Sequence, residues 1–551
     1  MKEIILAILQ AALAKAHAHG QLKAVPASIE LEAPRDPAHG DIATNLALAM
    51  ARAEGQPPRA IAEIILEHLV LGHEIIEAKV AGPGFINFRM VPAFWQREIR
   101  RAMREGPGFW RPQIGAGRKV QVEFLSANPT GPLTVGHGRN AVLGDTIARL
   151  YAATGHQVTR EYYFNDGGRQ MKLLGESVRA RYLEELGRTA VFPEDGYHGE
   201  YIREIARDLI REHRDRLADN TELEPFRAAA VKAIFADIRH SCERLGVGFD
   251  VYTNELDLIR SGAVEAVIAG LRERELIAEY DGAVWLRGEP LGLPKDAVLI
   301  RQTGEPTYRT PDIAYHVEKL KRGFDLIIGV FGADHIAEHE EVIAAVRALG
   351  YETIAIRAII YQFVTLTRGG EKVKMSTRKA TYVTLDELMD EVGPDVVRFF
   401  FLFRKSDSHL DFDLDLAKRQ APENPVFYVQ YAHARLQSVF REAEKAGYQQ
   451  PTADMAADLT LLSDEELALA KRAVAMPEII AAATRELEPH RIPFYLLDLA
   501  GEFHRYYNKP ANRIIGVEPA LTTARLYLAA LLMDALRNGL ELIGVSAPQR
   551  M

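Results

Sequence analysis

The spacing of hydrophobic residues changes several times along the 551-residue chain. The first block mixes helical stretches with short alternating runs, and the alternation in EAKVAGPGFINFRM predicts two strands around a tight turn. In the helical stretch DIATNLALAMARAEG, Asp41 is a candidate N-cap and Gly55 a candidate helix end. We therefore expect residues 1–115 to form a small α+β domain.

The N-terminal run MKEIILAILQAALAKAHA could be a secretory signal peptide, because an apolar stretch precedes small residues. An amphipathic helix is the better interpretation, since Glu3 weakens a basic leader while Ile5, Leu9 and Leu13 share one helical face. No uncharged apolar run reaches the roughly 18 residues that suggest a membrane span. We expect a cytoplasmic protein with no membrane association.

From Lys119 the pattern changes to strand, loop, helix and strand, and a second such unit begins at FDLIIGVFG. Alternating units of this kind predict an α/β fold, a Rossmann-like doubly wound parallel sheet with ligands at the carboxyl ends of its strands. We assign this domain to residues 116–417, with a charged and mainly helical insertion at about 168–294. After Asp415 only helical periodicity remains, so residues 418–551 are predicted to form an all-α bundle.

Composition narrows the possible functions. With 48% hydrophobic and 26% charged residues the chain resembles an ordinary globular protein, and a net charge of −9 means that any RNA contact must come from local basic patches. The single cysteine, Cys242, excludes internal disulfides and multi-cysteine zinc sites, as is typical of a reducing compartment.

The loop NPTGPLTVGHG, between the first strand and helix of this domain, is a candidate phosphate site. Gly131, Gly136 and Gly138 allow close approach of the backbone, and a helix N-terminus with His137 beside it can donate hydrogen bonds to an anion. A purely structural turn is an equally reasonable interpretation of this loop alone. It matches neither the P-loop nor the dinucleotide fingerprint.

A second loop, TRGGEKVKMSTRKATYVTL, carries Lys372, Lys374, Arg378 and Lys379 beside glycines. A basic loop is usually only a solvated surface. In a Rossmann-like frame, however, KMST resembles the KMSKS signature and TVGH resembles the HIGH signature of class I aminoacyl-tRNA synthetases.

An ordered series of motifs makes the resemblance more specific: the chain resembles the arginyl-tRNA synthetases over essentially its whole length. The motifs are HGDIATN, AGPGFINF, EFLSANPTGPLTVGHGRN, PDIAYHVEKLKRGFD, GADH, VKMSTRKA, FDLDLAK, NPVFYVQYAHAR and DALRNGLELIGV. The resemblance implies ATP-dependent activation of L-arginine, release of pyrophosphate, and transfer of arginine to the 3′-terminal adenosine of tRNA(Arg). It also implies Mg²⁺ with the ATP, activation that requires tRNA, and a DALR-type anticodon-binding bundle; we expect a monomer.

The resemblance assigns roles to matched positions. Catalytic roles fall on His137, Lys374 and Thr134. ATP contacts fall on Gly131, Pro132, Gly136, His137, Gly332, Asp334, His335, Lys374, Met375 and Ser376. The HIGH-like motif comprises Ala127, Asn128, Pro129, Thr130, Gly131, Pro132, Leu133, Thr134, Val135, Gly136 and His137. The arginine pocket comprises Glu123, Asn128, Tyr308 and Asp312, whose carboxylates suit a planar guanidinium.

Three points remain open. Asp312 could instead be the N-cap of a helix. Thr134 stands where the HIGH signature has its first histidine, and Ala380 stands where a glycine is common. Neither departure removes His137 or Lys374, so we expect activity.

Two rival functions deserve comparison. His335 and His339, four residues apart, could hold a metal as in a hydrolase, but Ile336 occupies the place of the glutamate in H-E-x-x-H. We therefore expect His335 near ATP and His339 on a solvated helix face. The other rival is a noncatalytic tRNA-binding paralogue, which the presence of both ATP motifs disfavours.

Aromatic and basic residues in the bundle are candidates for stacking on anticodon bases. They are Tyr428, Tyr431, Arg435, Tyr507 and Asn508. Aromatics at helical spacing are more often core residues, and Phe427 or Tyr431 is assigned to the core on sequence alone.

Overall fold

The computed structural model describes residues 1–32, 34, 37–373 and 383–551. The chain groups into two compact units. The first contains Met1–Gly106, Phe440–Val474 and Pro510–Leu532, and the second contains Pro107–Val439, Ala475–Lys509 and Met533–Met551.

The N-terminal part of the first unit is an α+β arrangement, as predicted. Its elements are α1 Lys2–Ala18, β1 Ile42–Thr44, α2 Leu46–Glu54, α3 Pro58–His68, β2 Ile75–Ala81, β3 Phe85–Met90 and α4 Pro92–Glu105. The strands form an antiparallel sheet in the order β1-β3-β2, which confirms the two strands predicted around the tight turn. Helix α1 buries Ile5, Leu9 and Leu13, the face that amphipathic spacing predicts.

The expected capping role of Asp41 is wrong. Helix α2 begins after Asn45, because residues 42–44 form β1. The Asp41 carboxylate instead accepts hydrogen bonds from the Met90 backbone N–H at 2.7 Å and from Lys471 Nζ at 2.7 Å. Gly55, with φ of 69°, ends α2 as predicted.

The second unit contains the predicted parallel sheet, with strand order β11-β10-β4-β5-β6. The elements of residues 107–417 are β4 Lys119–Glu123, α5 Val135–Ala153, β5 Gln157–Phe164, α6 Gly168–Glu185, α7 Glu200–His213, α8 Glu224–Leu245, β6 Val251–Asn254, α9 Glu255–Arg260, α10 Ala263–Glu273, β7 Ile277–Tyr280, β8 Ala283–Leu286, β9 Ala297–Ile300, α11 Arg309–Lys321, β10 Leu326–Gly332, α12 Ile336–Ala348, β11 Ile356–Tyr361, β12 Val364–Arg368, β13 Glu371–Lys372, α13 Leu385–Val392, α14 Pro394–Leu402, β14 Leu410–Asp413 and α15 Leu414–Ala417. The strand order reverses between β4 and β10, and a crevice at such a switch point is where doubly wound sheets bind ligands.

The interval 168–294 is mainly helical, as predicted, but it also contains strands that the prediction omitted. Strand β6 is an edge of the parallel sheet, and β7 and β8 form a separate antiparallel sheet with β9, which follows the interval. Each of these strands has four residues, too few for a clear alternation of polar and apolar positions. The apolar run ETIAIRAIIYQFVTL likewise divides into β11 and β12, which belong to different sheets.

The C-terminal helices confirm the predicted all-helical segment. They are α16 Pro425–Lys445, α17 Asp464–Val474, α18 Met476–Arg485, α19 Arg491–Tyr507 and α20 Pro519–Leu542. Every residue from Leu414 onward is described, and none of them lies in a strand. No helix in the described part of the chain combines the length and apolar character that a membrane crossing needs.

Candidate active site and nucleic-acid interface

The backbone is strained where β4 ends, beside the switch point of the sheet. Leu125 and Ser126 adopt positive φ values of 66° and 44°, which non-glycine residues rarely do. Buried Asn140 on α5 stabilises this turn, because its Oδ1 accepts from Leu125 N at 2.6 Å and its Nδ2 donates to the Val330 carbonyl at 3.0 Å. Asn140 thereby joins the loop that follows β4 to strand β10, as surrounding structure must do where strain persists.

The N-terminus of α5 is built as an anion site. Thr134 is the N-cap: its Oγ1 accepts from His137 N at 3.4 Å, and its own N–H donates to His137 Nδ1 at 3.2 Å. Burial lowers the pKa of His137. With Nδ1 accepting, the neutral ring carries its proton on Nε2, which has no acceptor among the described residues and lies at the positive end of the helix. A Cβ built on Gly136 would meet Thr134 Oγ1 at 3.7 Å, an ordinary van der Waals contact.

The two signature loops meet through the backbone. Thr134 forms a β-bridge with Thr384, and Leu385 N donates to the Leu133 carbonyl at 2.8 Å. Thr384 is also the N-cap of α13, the helix that follows the KMST segment. The predicted residues Lys374, Met375 and Ser376, together with Arg378, Lys379 and Ala380, lie outside the described residues.

Arg139 connects the start of α5 to two neighbouring loops. Its fully buried guanidinium donates to the carbonyls of Gln362 at 2.5 Å, Lys405 at 2.9 Å and Ser408 at 3.0 Å. Burial lowers the pKa of Arg139 to about 10. Gln362 precedes β12, whereas Lys405 and Ser408 lie between α14 and β14. Arg139 therefore fixes these two loops relative to His137.

A small cavity lies at the carboxyl ends of β4 and β10. Its volume is about 60 Å³, and its lining residues are Glu123, Asp312, Tyr315, His316, Phe331, His335, Glu338, His339 and Val342. One water molecule needs about 10 to 15 Å³ of such cavity volume, so the cavity accepts the polar head of one side chain and not a nucleotide. The cavity brings together Glu123 and Asp312, two of the four residues predicted to bind arginine.

Asp312 is the carboxyl of this cavity whose ionisation its surroundings oppose. Burial, followed by the neighbouring charges of Glu123, Glu255 and Glu338, raises its pKa well above the usual value. Asp312 lies in the first turn of α11, whose N-cap is Tyr308, so the N-cap alternative is wrong. A buried carboxyl crowded by other carboxyls stabilises a cation that enters beside it.

Glu123 already has a cation of its own. Its carboxylate forms an ion pair with Lys319, and the two side chains are 7% and 1% exposed. The Lys319 ammonium also lies 3.8 Å from the centre of the Tyr315 ring. Glu123 is therefore partly neutralised, and Asp312 is the carboxyl of the cavity whose charge most needs compensation.

The other two predicted arginine contacts do not line the cavity. Asn128 Oδ1 accepts from Asn165 N at 2.9 Å, and its Nδ2 donates to Gln170 Oε1 at 3.2 Å. Tyr308 is 53% exposed at the start of α11. Asn128 follows β4, and Tyr308 is the N-cap of the helix that carries Asp312.

His335 and His339 have different surroundings. His335, in the turn before α12, lies 3.5 Å from Glu338 and 3.7 Å from Asp334, and the hydrogen bond that it donates to the Glu338 carboxylate raises its pKa. His339 is half-buried against Phe331, and burial lowers its pKa to about 4. The expected solvated face for His339 is therefore wrong. Among the described residues, no group of three or more His, Cys, Asp or Glu side chains could hold a metal ion.

Sequence reasoning missed several residues of the cavity. Tyr315, His316 and Lys319 follow Asp312 by three, four and seven positions, the spacing of one helical face. The Tyr315 hydroxyl donates to Glu161 at 2.8 Å, and this fully buried carboxylate also accepts from Arg322 at 2.8 Å. Helical periodicity counted from Asp312 would have found this face.

A second candidate site lies on α16 and α19. The Arg435 guanidinium lies 4.8 Å from the Tyr431 ring centre and 4.9 Å from that of Tyr507. It donates to His504 Nδ1 at 3.2 Å and to Asn508 Oδ1 at 3.1 Å. These acceptors are neutral, so the positive charge of Arg435 remains available for a phosphate or a base.

The surrounding helix surface supports this arrangement. The buried positions of α16 include Val426, Val429 and Leu436, whereas Phe427 and Tyr431 are only half-buried and stack on each other with ring centres 6.0 Å apart. The assignment of Phe427 or Tyr431 to the core is therefore wrong. Tyr428, whose ring centre is 4.6 Å from that of His504, completes a partly exposed aromatic surface.

These features define a class of enzyme. A parallel sheet with a histidine-bearing helix N-terminus at its switch point, joined by backbone to the exit of a KMST segment, is the arrangement of a class I aminoacyl-tRNA synthetase. The family model described as "tRNA synthetases class I (R), catalytic domain" matches residues 103–398. The chain belongs to the arginyl-tRNA synthetase family.

Further matches cover both ends of the chain. The family described as "Arginyl tRNA synthetase N terminal domain" matches residues 3–90, and "DALR anticodon binding domain" matches residues 429–551. The arginine–tRNA ligase of Desulfotalea psychrophila is 50% identical over 95% of this chain and 94% of its own length. That of Salinibacter ruber is 50% identical over 95% of this chain and 96% of its own length.

A solved structure extends the comparison to three dimensions. Thermus thermophilus arginyl-tRNA synthetase matches with a TM-score of 0.78 at 26% identity, covering 98% of this chain and 99% of its own. The similarity therefore includes the whole succession of elements, from α1 to α20.

Proposed function

We propose that this chain catalyses the reaction of its family, the ATP-dependent attachment of L-arginine to tRNA(Arg). The observation that carries the proposal is the carboxyl of Asp312, whose pKa is raised by burial and by neighbouring carboxylates, in a cavity the size of a side-chain head that Glu123 also lines. A guanidinium is the amino-acid head group that matches a carboxylate in both charge and planar geometry.

In the first step, the arginine carboxylate attacks the α-phosphorus of ATP, and pyrophosphate leaves as arginyl-adenylate forms. Asp312, with Glu123 behind it, holds the guanidinium, and Asn128 and Tyr308 orient the substrate from the adjacent loops. His137 donates its Nε2–H to a phosphate oxygen, where negative charge develops. Such a reaction depends on positioning and charge stabilisation rather than on a protein nucleophile.

Contacts with ATP come from both loops at the switch point. Gly131, Pro132 and Gly136 supply backbone before α5, while Gly332, Asp334 and His335 follow β10. The family resemblance adds Lys374, Met375 and Ser376. The raised pKa of His335 favours its cationic form, which suits an anionic ligand.

In the second step, arginine passes to the 3′-terminal adenosine of tRNA(Arg), and AMP is released. Tyr428, Tyr431, Arg435, Tyr507 and Asn508 form the surface that binds anticodon nucleotides, because single-stranded bases stack on aromatic rings and guanidinium planes. We assign the N-terminal, catalytic and anticodon-binding domains to residues 1–115, 116–417 and 418–551. The family matches at 3–90, 103–398 and 429–551 support this division.

We further propose that Mg²⁺ enters with the ATP phosphates, which supply the oxygen ligands that this ion prefers. When bound, the ion would neutralise phosphate charge, and the residues named above position the reacting groups. The enzyme acts as a cytoplasmic monomer, and the single buried thiol of Cys242 suits a reducing compartment.

The test is aminoacylation of transcribed tRNA(Arg) with labelled arginine, with lysine as the competing cationic amino acid. We expect arginine alone to be esterified to the tRNA, and removal of ATP to abolish the product. Binding of tRNA(Arg) without any acylation by the pure, folded chain would instead identify a noncatalytic tRNA-binding protein.

A further inference from the structure

A second and larger cavity lies at the opposite end of α5 from His137. Its volume is about 340 Å³, and Ala152 and Ala153 at the end of α5 are part of its wall. A rise of about 1.5 Å per residue places this wall about 22 Å along the helix from His137. The cavity is therefore separate from the site of amino-acid activation.

The cavity is rich in arginine. Arg111, Arg149 and Arg160 all line it, and Glu541 is the single acidic residue of the lining. Asn538 adds an amide, while Trp110 and Leu542 contribute apolar surface. Three cations facing one exposed carboxylate leave a positive charge in a space that also has an apolar wall.

The groups behind the wall do not cancel this charge. Arg149 Nε pairs with the buried Asp145 carboxylate at 2.7 Å. Arg160 is held less closely, because its nearest carboxylate oxygens lie 4.0 Å away on Asp145 and 3.9 Å away on Asp250. Buried Arg398 binds the same Asp145 carboxylate at 2.6 Å. Asp145 is thus shared by three guanidinium groups.

Arg111 differs from the other two arginines. It is exposed, and its side chain has no ion-pair or hydrogen-bond partner among the described residues. An arginine that folding does not already pair keeps its planar set of donors for a ligand.

We propose that this cavity binds a nucleotide, with its phosphate against Arg111 and Arg160 and its base or sugar on the apolar wall beside Trp110. Phosphate oxygens are the acceptors that clustered guanidinium groups bind best. The volume lies at the lower end of the roughly 300 to 1,000 Å³ typical of small-ligand sites, enough for a single nucleotide unit. The nucleotide is either a free mononucleotide or one unit of the bound tRNA backbone.

Calorimetric titration with uridine 5′-monophosphate tests the site, with unphosphorylated uridine as the matched probe. A non-hydrolysable arginyl-adenylate analogue fills the catalytic site, so that heat reports the second cavity. We expect the monophosphate to bind at least tenfold more tightly than uridine. Arg111→Gln and Arg160→Gln should each weaken this binding at least tenfold, whereas Arg260→Gln, at an arginine with a 72% exposed side chain outside the cavity, should not.

Titration with tRNA(Arg) distinguishes the two sources of the nucleotide. If the tRNA supplies it, Arg111→Gln lowers tRNA affinity severalfold and uridine 5′-monophosphate competes with tRNA. If the ligand is a free nucleotide, tRNA affinity is unchanged and only mononucleotide binding is lost. The proposal is overturned if the monophosphate binds no better than uridine and both variants match Arg260→Gln in tRNA affinity.

Discussion

Replacement of Asp312 by asparagine removes one charge from the arginine cavity while keeping the shape of the side chain. If Asp312 compensates the guanidinium, the variant loses a charge-assisted pair in a buried site, about 2 to 4 kcal/mol. At about 1.4 kcal/mol per factor of ten, this corresponds to a roughly 30- to 700-fold weaker use of arginine. ATP should be affected little, because its contacts lie on the loops around His137 and Gly332.

The same substitution should have an opposite effect on stability without substrate. Because the pKa of Asp312 is raised in the folded chain, this carboxyl holds a proton that the unfolded chain has released. Wild-type stability therefore falls as the pH rises from the unfolded value, about 3.9, towards the folded one. Asp312→Asn lacks this loss, so its melting temperature should exceed that of the wild type increasingly as pH rises through that window.

Arginine binding should reverse the comparison. The guanidinium requires an ionised carboxylate, so arginine binding by the wild type releases a proton and strengthens with pH up to the raised pKa of Asp312. We expect this pH dependence of the arginine KM to be absent in Asp312→Asn. Arginine should also raise the melting temperature of the wild type more than that of the variant.

The measurements are pyrophosphate exchange with arginine and ATP varied in turn, and thermal unfolding from about pH 4 to about pH 9, the range in which carboxyls and histidines titrate. Asp219→Asn, at a side chain that is 90% exposed, is the matched control. Equal losses for arginine and ATP, or a variant less stable than the wild type at neutral pH, would show that Asp312 has a structural role and would refute this reasoning.

Three further predictions concern the remaining machinery. His137→Ala should lower the rate of arginine activation by about 10²- to 10³-fold, the usual loss for one charge-stabilising donor, with arginine KM little changed. Steady-state exchange kinetics measure both quantities, and an unchanged rate would contradict the role of His137. Thr134→Ala should cost about 1 kcal/mol of stability through loss of the α5 cap, and Thr134→Ser should restore it in chemical denaturation. Arg435→Gln should raise the tRNA(Arg) KM at least tenfold and leave tRNA-independent ATP binding intact, whereas Lys445→Gln, at an exposed side chain on the same helix, should do neither. If the two bundle variants behave alike, Arg435 does not contact tRNA.

Removal of the whole bundle is a poor test of its role. Arg398, buried in the second unit, donates to the carbonyl of Ile543 at 2.7 Å. Cutting the chain near Lys418 would leave the buried Arg398 with an unsatisfied donor, a defect of about 1 to 3 kcal/mol or more. Point variants at Arg435 avoid this defect.

The sequence predicted most of the fold because long periodic segments determine it. The apolar spacing of α5 and α16 and the runs that form β4, β5 and β10 are sufficient to indicate an alternating domain followed by helices. Short elements escaped prediction: β6 has four residues, and its place at the edge of the sheet depends on pairing with β5, distant in sequence. The Asp41 cap failed for a similar reason, since β1 forms only by pairing with β3.

The candidate site was predictable in part. Motifs located Glu123, His137 and Asp312, but they could not indicate that Lys319 neutralises Glu123 across 196 positions. Nor could the sequence show that Thr134, where the HIGH signature has histidine, caps α5 through His137 and forms a bridge to Thr384. These relations depend on how separate elements pack, and local spacing carries no record of them.

The most direct test of amino-acid identity is ATP–pyrophosphate exchange with each of the standard amino acids, with and without tRNA(Arg). The cavity of Asp312 and Glu123 predicts that arginine alone supports exchange, and the family resemblance predicts that exchange requires the tRNA. Exchange with lysine or an uncharged amino acid in place of arginine would contradict the assignment of Asp312 as the guanidinium-binding carboxylate.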